Sequence, residues 1–464
     1  MKNIKMKIIW ENKKLGNIII IVALTLLIYL LVSLYFINHF FFNTEVNGIN
    51  LSLKSISASE KIIREEVEGY KINLIGRDGR TEEIKGEEID FKYNNKNSLK
   101  NIYKKQSYLK WIKSLIKKEE YYLEDLLLFN KTKLDNKVES LKILNEEIIE
   151  PKNIVFKFGK ENYGIIKEVE GNKIDKEKLS QAIEIKLLMM KKDLDINENS
   201  CYENPTYTLD SKKTLETHKL LNQYVQSKIT YVFEEKEEIL DGETINKWLT
   251  VNEDLDLVIN EKLVREYIKD LSKKYNTVGI TRNFKTSIGK IVEVKGGYYG
   301  WKINTEDETK ELLENIKLGK TIEKEPIYTQ EGLDRGENDI GDTYVEINIT
   351  KQHLWFYKDK KLITQGDIVT GDPNKGYSTK VGTYMLNYKE KESTLTGPNY
   401  EAKVKYWMPF NGNIGIHDAS WRYSFGGEIY KRNGTHGCVN SPLYLAKTIF
   451  ENIEEGTPVI CYEE

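Results

Sequence analysis

A long uncharged segment near the N-terminus constrains the whole chain. Between residues 15 and 44 there is no Lys, Arg, Asp or Glu, and residues 18–42 are almost entirely apolar. About 20 helical residues, at about 1.5 Å each, cross a hydrocarbon core of about 30 Å. A secretory signal would be shorter and would end at small residues, which Phe-Phe-Phe-Asn-Thr at residues 40–44 does not offer. We therefore predict a transmembrane helix over residues 17–42, in preference to a buried helix of a soluble domain.

The charges that flank this segment predict its orientation. Residues 1–14 hold five Lys and one Glu, a net charge of +4, and the positive-inside rule keeps such a tail in the cytoplasm. Residues 1–16 are therefore the predicted cytoplasmic tail, and the bulk of the chain faces outward. Because the 464 residues together carry −2, the outer part carries −6. A mildly acidic outer part is not drawn by charge to anionic polymers, so shape and hydrogen bonds should select its partner.

Composition excludes several other classes of protein. Hydrophobic residues make up 39% of the chain, which is enough for packed cores and excludes a wholly disordered chain. The balance of 70 Lys+Arg against 72 Asp+Glu leaves no general basic excess for nucleic acid. Three Cys are too few for a disulfide-built scaffold. The length corresponds to about three domains.

Two pairs of similar segments predict a duplicated α+β module. Residues 84–89 (Ile-Lys-Gly-Glu-Glu-Ile) resemble residues 240–245 (Leu-Asp-Gly-Glu-Thr-Ile), and residues 173–177 resemble residues 302–306. The two members of the first pair lie further apart in the chain than the two members of the second pair. The first copy therefore carries an insertion between its two matching segments.

Module boundaries and connections follow from this repeat. We assign the first module to residues 43–205 and the second to residues 206–335, with residues 108–128 as the candidate for most of the insertion. The charged stretch 103–149 has apolar residues at near-helical spacing. Because its basic and acidic residues are mixed, we interpret it as a solvated amphipathic helix packed on its own module rather than as a membrane-surface helix. The Gly-containing acidic stretch 326–342 indicates a linker.

The C-terminal region begins with a β pattern. Val345, Ile347 and Ile349 alternate with polar residues, which predicts a half-buried strand. An aromatic run, a polar turn at residues 358–361 and a second strand complete a hairpin. No G-x-G-x-x-G or P-loop signature follows, so nothing indicates nucleotide binding.

Near the C-terminus, a cysteine lies close to two of the five histidines. The two clusters are His417-Asp418 and Thr-His-Gly-Cys-Val-Asn at residues 435–440. A thiol of ordinary pKa about 8.5 must become a thiolate to attack an acyl carbon, and a neighbouring imidazole can take its proton. Ser441 and Pro442 read as the N-cap and first residue of a helix, which would place Cys438 beside a helix N-terminus that favours the thiolate. Backbone N–H groups around Gly437 and Cys438 would bind a tetrahedral oxyanion.

The residues alone leave the identity of the base open. His436 would share a face with the thiol in an extended strand, whereas His417 must approach through folding. A buried inert thiol and a metal ligand are the alternatives for Cys438, although His417, His436 and Cys438 supply only three zinc ligands. His353 and His218 are interpreted as structural and surface residues, and a bond between Cys201 and Cys461 is disfavoured because they lie in different predicted domains.

This constellation resembles the signature of the L,D-transpeptidase (YkuD-like) family. The resemblance rests on His417, the motif at residues 435–440 and the length of the stretch between them, residues 418–434. Residues 415–421 (Gly-Ile-His-Asp-Ala-Ser-Trp) and 352–357 (Gln-His-Leu-Trp-Phe-Tyr) are similar too. It covers about residues 343–464. Val-Asn-Gly-Ile at residues 46–49, with the duplicated units, also resembles the peptidoglycan-binding modules that often precede this catalytic domain.

The resemblance implies roles for individual residues. Cys438 is the nucleophile and His417 the general base, oriented through its other ring nitrogen by a backbone carbonyl near Asp418. Gly437 contributes to the oxyanion site. The implied pocket residues are Thr435, His436, Asp418, Asn440, Trp421 and Tyr400. At residues 378–383 (Ser-Thr-Lys-Val-Gly-Thr) the chain keeps Gly382 but lacks the Pro that many members have there.

The resemblance also implies a fold and a function. The expected fold is multidomain, with an N-terminal transmembrane helix, two α+β modules and a mostly-β, sandwich-like catalytic domain at residues 343–464. The expected activity is that of a membrane-anchored L,D-transpeptidase that faces the cell wall and joins third-position residues of two stem peptides through a Cys thioester. No metal or organic cofactor is expected. The expected partners are stem peptides and the membrane, not nucleic acid, and carbapenems are expected to acylate the same thiol.

Three alternatives remain at this point. With water as acceptor the same Cys438 would act as an L,D-carboxypeptidase, and with a protein amine it would anchor proteins to the wall. A sortase is disfavoured because no Arg follows Cys438. The third alternative is a non-catalytic wall-binding protein with a vestigial C-terminal domain.

Overall fold

A computed structural model describes residues 2–94, 97–336, 339–397 and 400–464, with side chains from residue 13 onward except that of Tyr400. The chain forms two compact units. Unit 1 contains residues 1–155 and 166–211, and unit 2 contains residues 156–165 and 212–464. Each unit is described separately below.

The first element is a long helix, α1 (Lys2–Tyr35). Within its segment Lys13–Tyr35, an 18-residue window has a mean hydropathy of 2.9, and the segment is long and apolar enough to cross a membrane. Side chains along this segment are almost all exposed, from Leu15 at one end to Leu34 near the other. An apolar helix of this length that buries so little of itself against protein needs another apolar surrounding.

The first module follows α1 and consists of short strands and capped helices. Over residues 36–211 the elements in chain order are β1 (Thr44–Val46), β2 (Ile49–Asn50), α2 (Ile56–Glu68), β3 (Lys71–Ile75), β4 (Thr81–Lys85), β5 (Lys92–Tyr93), α3 (Ser98–Lys105), β6 (Glu119–Tyr121), β7 (Leu127–Leu128), α4 (Lys131–Glu139), β8 (Val155–Phe158), β9 (Tyr163–Ile166), α5 (Lys176–Leu188) and β10 (Asp193–Asp195). The sheets have the orders β2-β1-β6, β10-β3-β4 and β5-β7. The hairpin of β8 and β9 belongs mostly to unit 2, where Phe156, Phe158 and Tyr163 pack on the core of the second module. Helices α2 and α5 contribute Ile63, Leu179 and Ile183 to a core shared with Ile72 and Leu74 of β3.

The second module repeats this plan within unit 2. Its elements are α6 (Lys212–Val225), β11 (Lys228–Phe233), β12 (Lys236–Leu240), α7 (Gly242–Asn246), β13 (Leu249–Val251), β14 (Leu257–Ile259), α8 (Glu261–Tyr275), β15 (Arg282–Lys285), β16 (Ile291–Val294), β17 (Lys302–Ile303), α9 (Thr305–Lys317), β18 (Thr321–Lys324) and β19 (Tyr328–Gln330). The sheet β12-β11-β18 matches β4-β3-β10, since in each a hairpin is extended by a strand parallel to its first member. Asp175 and Asn304 cap the equivalent helices α5 and α9. The pairs of similar segments thus occupy equivalent positions.

The insertion lies between the two strands of the small β5-β7 sheet. In the second copy the equivalent strands β13 and β14 are joined by a short turn, whereas the first copy places α3, a 3₁₀ segment Tyr108–Leu115 and β6 between them. The prediction of one amphipathic helix over residues 103–149 is wrong. Residues Glu119–Tyr121 pair with β1 instead, and the side chain of Asn130 caps a new helix, α4. The apolar residues Leu109, Ile112, Leu115 and Ile116 are exposed rather than packed on their module.

The predicted linker over residues 326–342 is partly ordered against the second module. Its strand β19 pairs with β17. Asp339 is buried and accepts from Arg282 Nε at 2.6 Å and from Arg282 Nη2 at 2.8 Å. The linker prediction failed because glycine and acidic residues signal a turn locally, while the cation that pairs with Asp339 lies 57 residues earlier.

This ion pair predicts a large loss of stability when one partner is removed. An Asp339→Ala variant leaves the buried Arg282 guanidinium without its carboxylate, so we expect the free energy of unfolding of unit 2 to fall by about 3–5 kcal/mol. Urea unfolding of the full chain measures this. The control is Asp342→Ala, which removes an exposed ion pair with Lys360 and should cost about 1 kcal/mol or less. Equal losses of unfolding free energy in the two variants would show that the ion pair between Arg282 and Asp339 does not stabilise this segment.

The C-terminal domain is built on two sheets and one long helix. Its elements are β20 (Tyr344–Asn348), β21 (His353–Lys358), β22 (Lys361–Asp367), β23 (Gly382–Met385), β24 (Glu390–Gly397), β25 (Tyr400–Asn411), β26 (Ile414–Asp418), α10 (Ile429–Asn433), β27 (Val439–Ser441), α11 (Leu443–Asn452) and β28 (Pro458–Tyr462). The sheets have the orders β22-β21-β20-β28-β23 and β24-β25-β26-β27. Residues from both sheets and from α11, among them Val345, Met408, Ile416 and Ile449, share one core.

Strand β20 is buried on both faces, so the prediction of a half-buried strand is wrong. Glu346 is fully buried, and its carboxylate accepts from the Ser287 N–H at 3.0 Å and from the Tyr462 hydroxyl at 2.7 Å. The β15–β16 hairpin covers this face, with Phe284 and Val294 in a small core with Tyr462. Within unit 2, the second module therefore packs directly on the C-terminal domain.

Candidate active site

His417 lies on β26 and is almost fully buried. Its Nδ1 is 2.9 Å from the backbone oxygen of Asp418, so a proton on Nδ1 is held by that carbonyl and Nε2 is left as the basic nitrogen. The rings of Trp407 and Trp421 flank the imidazole, with centroids 5.8 and 6.0 Å from its own. Two aromatic neighbours and one hydrogen bond fix the orientation of the ring.

Cys438 precedes β27, the parallel neighbour of β26. Ile416 pairs with Val439 and His417 with Asn440, which sets Gly415 opposite Cys438. Residues two apart on a strand share a face, so the side chains of His417 and Cys438 project from the same side of the sheet. If this register is extended by one residue to Cys438, ideal strand spacing and rise give a Cα separation of about 8 Å, a distance that an imidazole and a thiol can span.

The thiol itself is half-buried and lies among backbone groups. Its Sγ is 3.6 Å from the backbone oxygen of Asn413. Burial raises the pKa of the Cys438 thiol, and the N–H of Gly415 opposes this by stabilising the thiolate. Burial also lowers the pKa of His417, although the Asp418 carbonyl and carboxylate act in the opposite direction. Both shifts favour a neutral thiol and a neutral imidazole in the free protein at neutral pH.

The predicted helix after the cysteine motif is present but begins one residue later than expected. Ser441 belongs to β27, where its Oγ donates to the backbone oxygen of His417 at 3.2 Å, and α11 begins only at Leu443 with Pro442 as its N-cap. Ser441 is not the N-cap, because its backbone pairs with β26 and places it in the sheet. An effect of this helix on the Cys438 thiol stays a prediction.

A network of threonine hydroxyls shapes the loop before Cys438. Thr435 Oγ1 donates to the backbone oxygen of Cys438 at 2.6 Å and accepts from the Gly437 N–H at 3.0 Å. Thr379 Oγ1 donates to the backbone oxygen of Gly437 at 2.7 Å, which ties the loop that lacks the family's Pro to the cysteine motif. Since the Gly437 N–H is engaged, the amide of Cys438 is the better oxyanion donor of the two.

Gly437 is required by both conformation and space. Its φ is +124°, and a Cβ added there would lie 2.9 Å from Cδ1 of Ile414.

We expect Gly437→Ala to lower the free energy of unfolding by about 1–3 kcal/mol and to slow alkylation of Cys438 by iodoacetamide. Thermal unfolding and intact mass measure the two effects. Gly412→Ala is the matched control, because Gly412 has φ +56° with nothing near its Cβ position. If both variants lose the same stability and alkylate Cys438 at the same rate, the close contact with Ile414 is not the reason that residue 437 is a glycine.

The other predicted pocket residues are placed as follows. Asp418 is buried, and its Oδ1 accepts the backbone N–H groups of Lys405 and Tyr406 on β25, both at 2.8 Å, so it braces the sheet. Asn440 is buried opposite His417. His436 is exposed in a bend, not in a strand, and its ring lies 4.6 Å from that of Tyr377. Tyr400 begins β25, but its side chain is outside the described residues.

Sequence reasoning missed four residues at this site. Trp407 faces His417 because the two are paired across β25 and β26, and Tyr377 reaches His436 from the loop before β23. Asn413 supplies the carbonyl beside the thiol. Arg422, whose charge lowers the pKa of His417, donates through Nη1 to the Asn433 carbonyl. Of these four, only Trp407 could have been found from the sequence. It belongs to an alternating strand pattern that ends just before the turn leading to His417, so the two strands could be expected to pair.

A metal centre has no support in the described part of the chain. Across residues 13–94, 97–336, 339–397 and 401–464, no group of three or more His, Cys, Asp and Glu side chains is arranged to hold a metal ion. Cys201 and Cys461 are both buried and free. His353 Nδ1 pairs with Asp367 at 2.6 Å, and His218 Nε2 lies 2.7 Å from the Tyr163 carbonyl, so each has a structural contact.

Models of known protein families match most of the chain. Residues 342–461 match the YkuD family of L,D-transpeptidase catalytic domains, and residues 82–195 and 207–323 each match one family of peptidoglycan binding domains. The double match confirms the predicted repeat. None of the curated proteins compared with the chain matches it significantly.

Parts of the chain are similar in sequence to proteins of solved structure. The Ldtfm carbamoyl enzyme formed with avibactam is 35% identical over 55% of this chain and 99% of its own, with a TM-score of 0.46. A cysteine-to-serine mutant of the Enterococcus faecium L,D-transpeptidase is 35% identical over 54% of this chain and 100% of its own, with a TM-score of 0.45. The catalytic domain of the E. faecium enzyme, also solved acylated by ertapenem, is 41% identical over 26% of this chain and 97% of its own, with a TM-score of 0.25. On the family match and on this identity across nearly the full length of a relative, the chain belongs to the L,D-transpeptidase family.

Proposed function

We propose that the protein is a membrane-anchored L,D-transpeptidase that cross-links peptidoglycan through a thioester on Cys438. The observation that supports this proposal is the parallel pairing of β26, which contains His417, with β27, which directly follows Cys438. The donor is a stem tetrapeptide and the acceptor is the side-chain amine of a neighbouring stem. The product is a cross-link between two third-position residues.

The chemistry proceeds by two acyl transfers. The thiol proton of Cys438 passes to Nε2 of His417 as Sγ bonds to the carbonyl carbon of the third residue. The bond from that carbon to the nitrogen of the terminal D-Ala then breaks, and the imidazolium returns the proton to the leaving amine. The acceptor amine attacks the thioester, gives a proton to His417, and releases the thiol when the new amide forms.

Transition-state stabilisation is assigned to the amide of Cys438. The tetrahedral intermediate carries a negative oxygen, and a fixed N–H donor there is worth about 10²–10³ in rate. The Thr435 hydroxyl holds the Cys438 carbonyl, which fixes this part of the backbone before substrate arrives. Thr435 is therefore proposed as a positioning residue and His436, with Tyr377, as part of the substrate-side wall.

Helix α1 is proposed as a retained anchor that leaves the C-terminal domain on the wall side of the membrane. Its span and the five Lys of the tail support this orientation. Retention is favoured over cleavage because Trp111 of the first module donates to Ser33 Oγ at 3.1 Å and its ring lies 6.0 Å from that of Phe36. Cleavage after the helix would strip these partners away.

The experiment that tests the proposed activity uses the full chain in detergent with purified muropeptides. A tetrapeptide donor should yield dimers joined through their third residues, with release of D-Ala, as read by mass spectrometry. Tripeptide product without dimers would indicate a carboxypeptidase instead. No release of D-Ala under either condition would overturn the proposal and favour a wall-binding role alone.

A further inference from the structure

The insertion of the first module is the most basic part of the chain outside the tail. Residues 98–118, here called the basic insertion, contain seven Lys and no Asp or Glu. Within the described residues, only Lys118 among these lysines forms ion pairs, with Glu45 and Glu120. The second copy has only a short turn at the equivalent place, so the basic insertion is an addition to the first module, whose core it joins through Leu99 and Ile102.

The same segment exposes apolar side chains. They are Tyr108, Leu109, Ile112, Leu115 and Ile116, and Ile116 is 93% exposed. A run of exposed aliphatic side chains interleaved with lysines is unusual on a surface that meets only water. It is typical of segments that lie in a membrane interface, where the apolar groups enter the lipid and the lysines reach the headgroups.

The basic insertion is fixed to the side of α1. The Tyr29 hydroxyl donates to the backbone oxygen of Leu109 at 2.6 Å, and the rings of Tyr29 and Trp111 stack 5.8 Å apart. Gln106 donates to the backbone oxygen of His39 at 2.8 Å just beyond the helix end. These contacts hold the basic insertion and the helix as one body within unit 1.

The contacts between the basic insertion and α1 lie within the length of the apolar span. Tyr29 lies six residues before Tyr35, the end of the apolar span, which is about 9 Å along a helix. The backbone of Leu109 therefore sits beside the span, not beyond it. An apolar groove formed by Leu31, Val32, Tyr35, Phe36, Phe42 and Leu53 continues the exposed apolar surface of α1 onto the module.

We propose that the basic insertion rests in the outer leaflet of the membrane, with Leu109, Ile112 and Ile116 in the acyl boundary and its lysines on anionic phospholipid headgroups. The inference rests on the proposed anchoring by α1 and adds a second membrane contact. Lipid is favoured over a protein occupant because α1 sets the depth of the basic insertion and because its charge suits anionic headgroups. With two membrane contacts, α1 and the basic insertion, the first module would lie directly against the membrane surface and would not move freely at the end of α1.

The test places an environment-sensitive fluorophore on single cysteines of the full chain in vesicles. In a Cys438→Ala background, the remaining Cys201 and Cys461 are buried. Ile112→Cys probes the basic insertion and Leu24→Cys probes the middle of α1. Glu253→Cys, in the turn that replaces the insertion in the second copy, is the matched water-exposed control. The bilayers contain seven parts of phosphatidylcholine to three parts of phosphatidylglycerol and carry lipids brominated at shallow or deep positions as quenchers.

We expect shallow bromines to quench the Ile112 probe at least threefold more than the Glu253 probe, and deep bromines to quench the Leu24 probe most. An Ile112 probe in water with a Leu24 probe in lipid would overturn the inference and leave the anchor intact. If both probes stayed in water, the proposed anchoring would fail as well. An Ile112 probe that is shielded without lipid quenching would show that protein covers the surface, which also overturns the inference.

A charge variant tests the headgroup contact. Changing Lys110, Lys113 and Lys117 together to Glu should lower shallow quenching at Ile112 by at least half in anionic vesicles, whereas Arg at the same positions should retain it. Quenching that is equal in the Glu and Arg variants would contradict the role of the lysines, because both variants share the same backbone and apolar residues.

Discussion

A Cys438→Ala variant of the full chain should gain no mass when it is incubated with a carbapenem, whereas the unaltered chain should gain the mass of one molecule. The reason is that acylation requires an accessible thiol: Cys201 and Cys461 are buried, whereas Cys438 is half-buried and precedes the strand that pairs with the strand of His417. Intact-protein mass spectrometry reads the outcome directly. Since no nucleophile remains to form the thioester, cross-linking of muropeptides should be lost as well.

The matched control for this variant is Cys201→Ala. Cys201 is another free cysteine, but it is buried, and burial raises the pKa of its thiol. We expect this variant to acylate like the unaltered chain, because its change lies in the core of the first module. Mass gain in the Cys438 variant, or its absence in both the unaltered chain and the control, would refute the assignment of the nucleophile.

Replacing His417 with Gln should slow acylation by about 10²–10⁴ and change its dependence on pH. Burial lowers the pKa of His417 and raises that of Cys438 relative to their usual values. The reactive form is therefore a neutral thiol beside a neutral imidazole. In the unaltered chain the acylation rate should rise with pH through the lowered pKa of His417 and then level off. Without the base it should rise only as the thiol ionises, in the alkaline range.

The control for the histidine variant is His353→Gln. His353 pairs with Asp367 on β21 and β22, in the other sheet of the domain, so its loss should leave the rate and its pH dependence unchanged. Stopped-flow measurement of carbapenem acylation between pH 5 and 10 compares the three proteins. A His417 variant that keeps the acid-side inflection would show that another group is the base, with His436 the next candidate.

Local patterns in the sequence were sufficient for the features that depend on neighbouring residues. The uncharged run before residue 44 identified the apolar part of α1, although the helix ends at Tyr35 and not at the predicted residue 42. The two pairs of similar segments identified the repeat that the family match confirms. The motif around Cys438 identified the catalytic family. Each of these signals consists of residues that are close together in the sequence. An apolar span, a helix cap and a tight glycine turn all depend on such neighbouring residues.

Features that depend on distant residues needed the tertiary structure. Ser441 joined a sheet and not a helix because β26 pairs with it, and Glu346 became buried because a hairpin that precedes it in the chain covers it. The exposure of Ile112 and Ile116 could not be read from their spacing, which suits a packed helix as well as a membrane-facing segment. The sequence by itself determined the apolar helix, the repeat and the chemical groups. Which faces are covered, which amides remain free and which rings surround the imidazole depended on long-range pairing, since burial is set by whatever the fold brings against a surface.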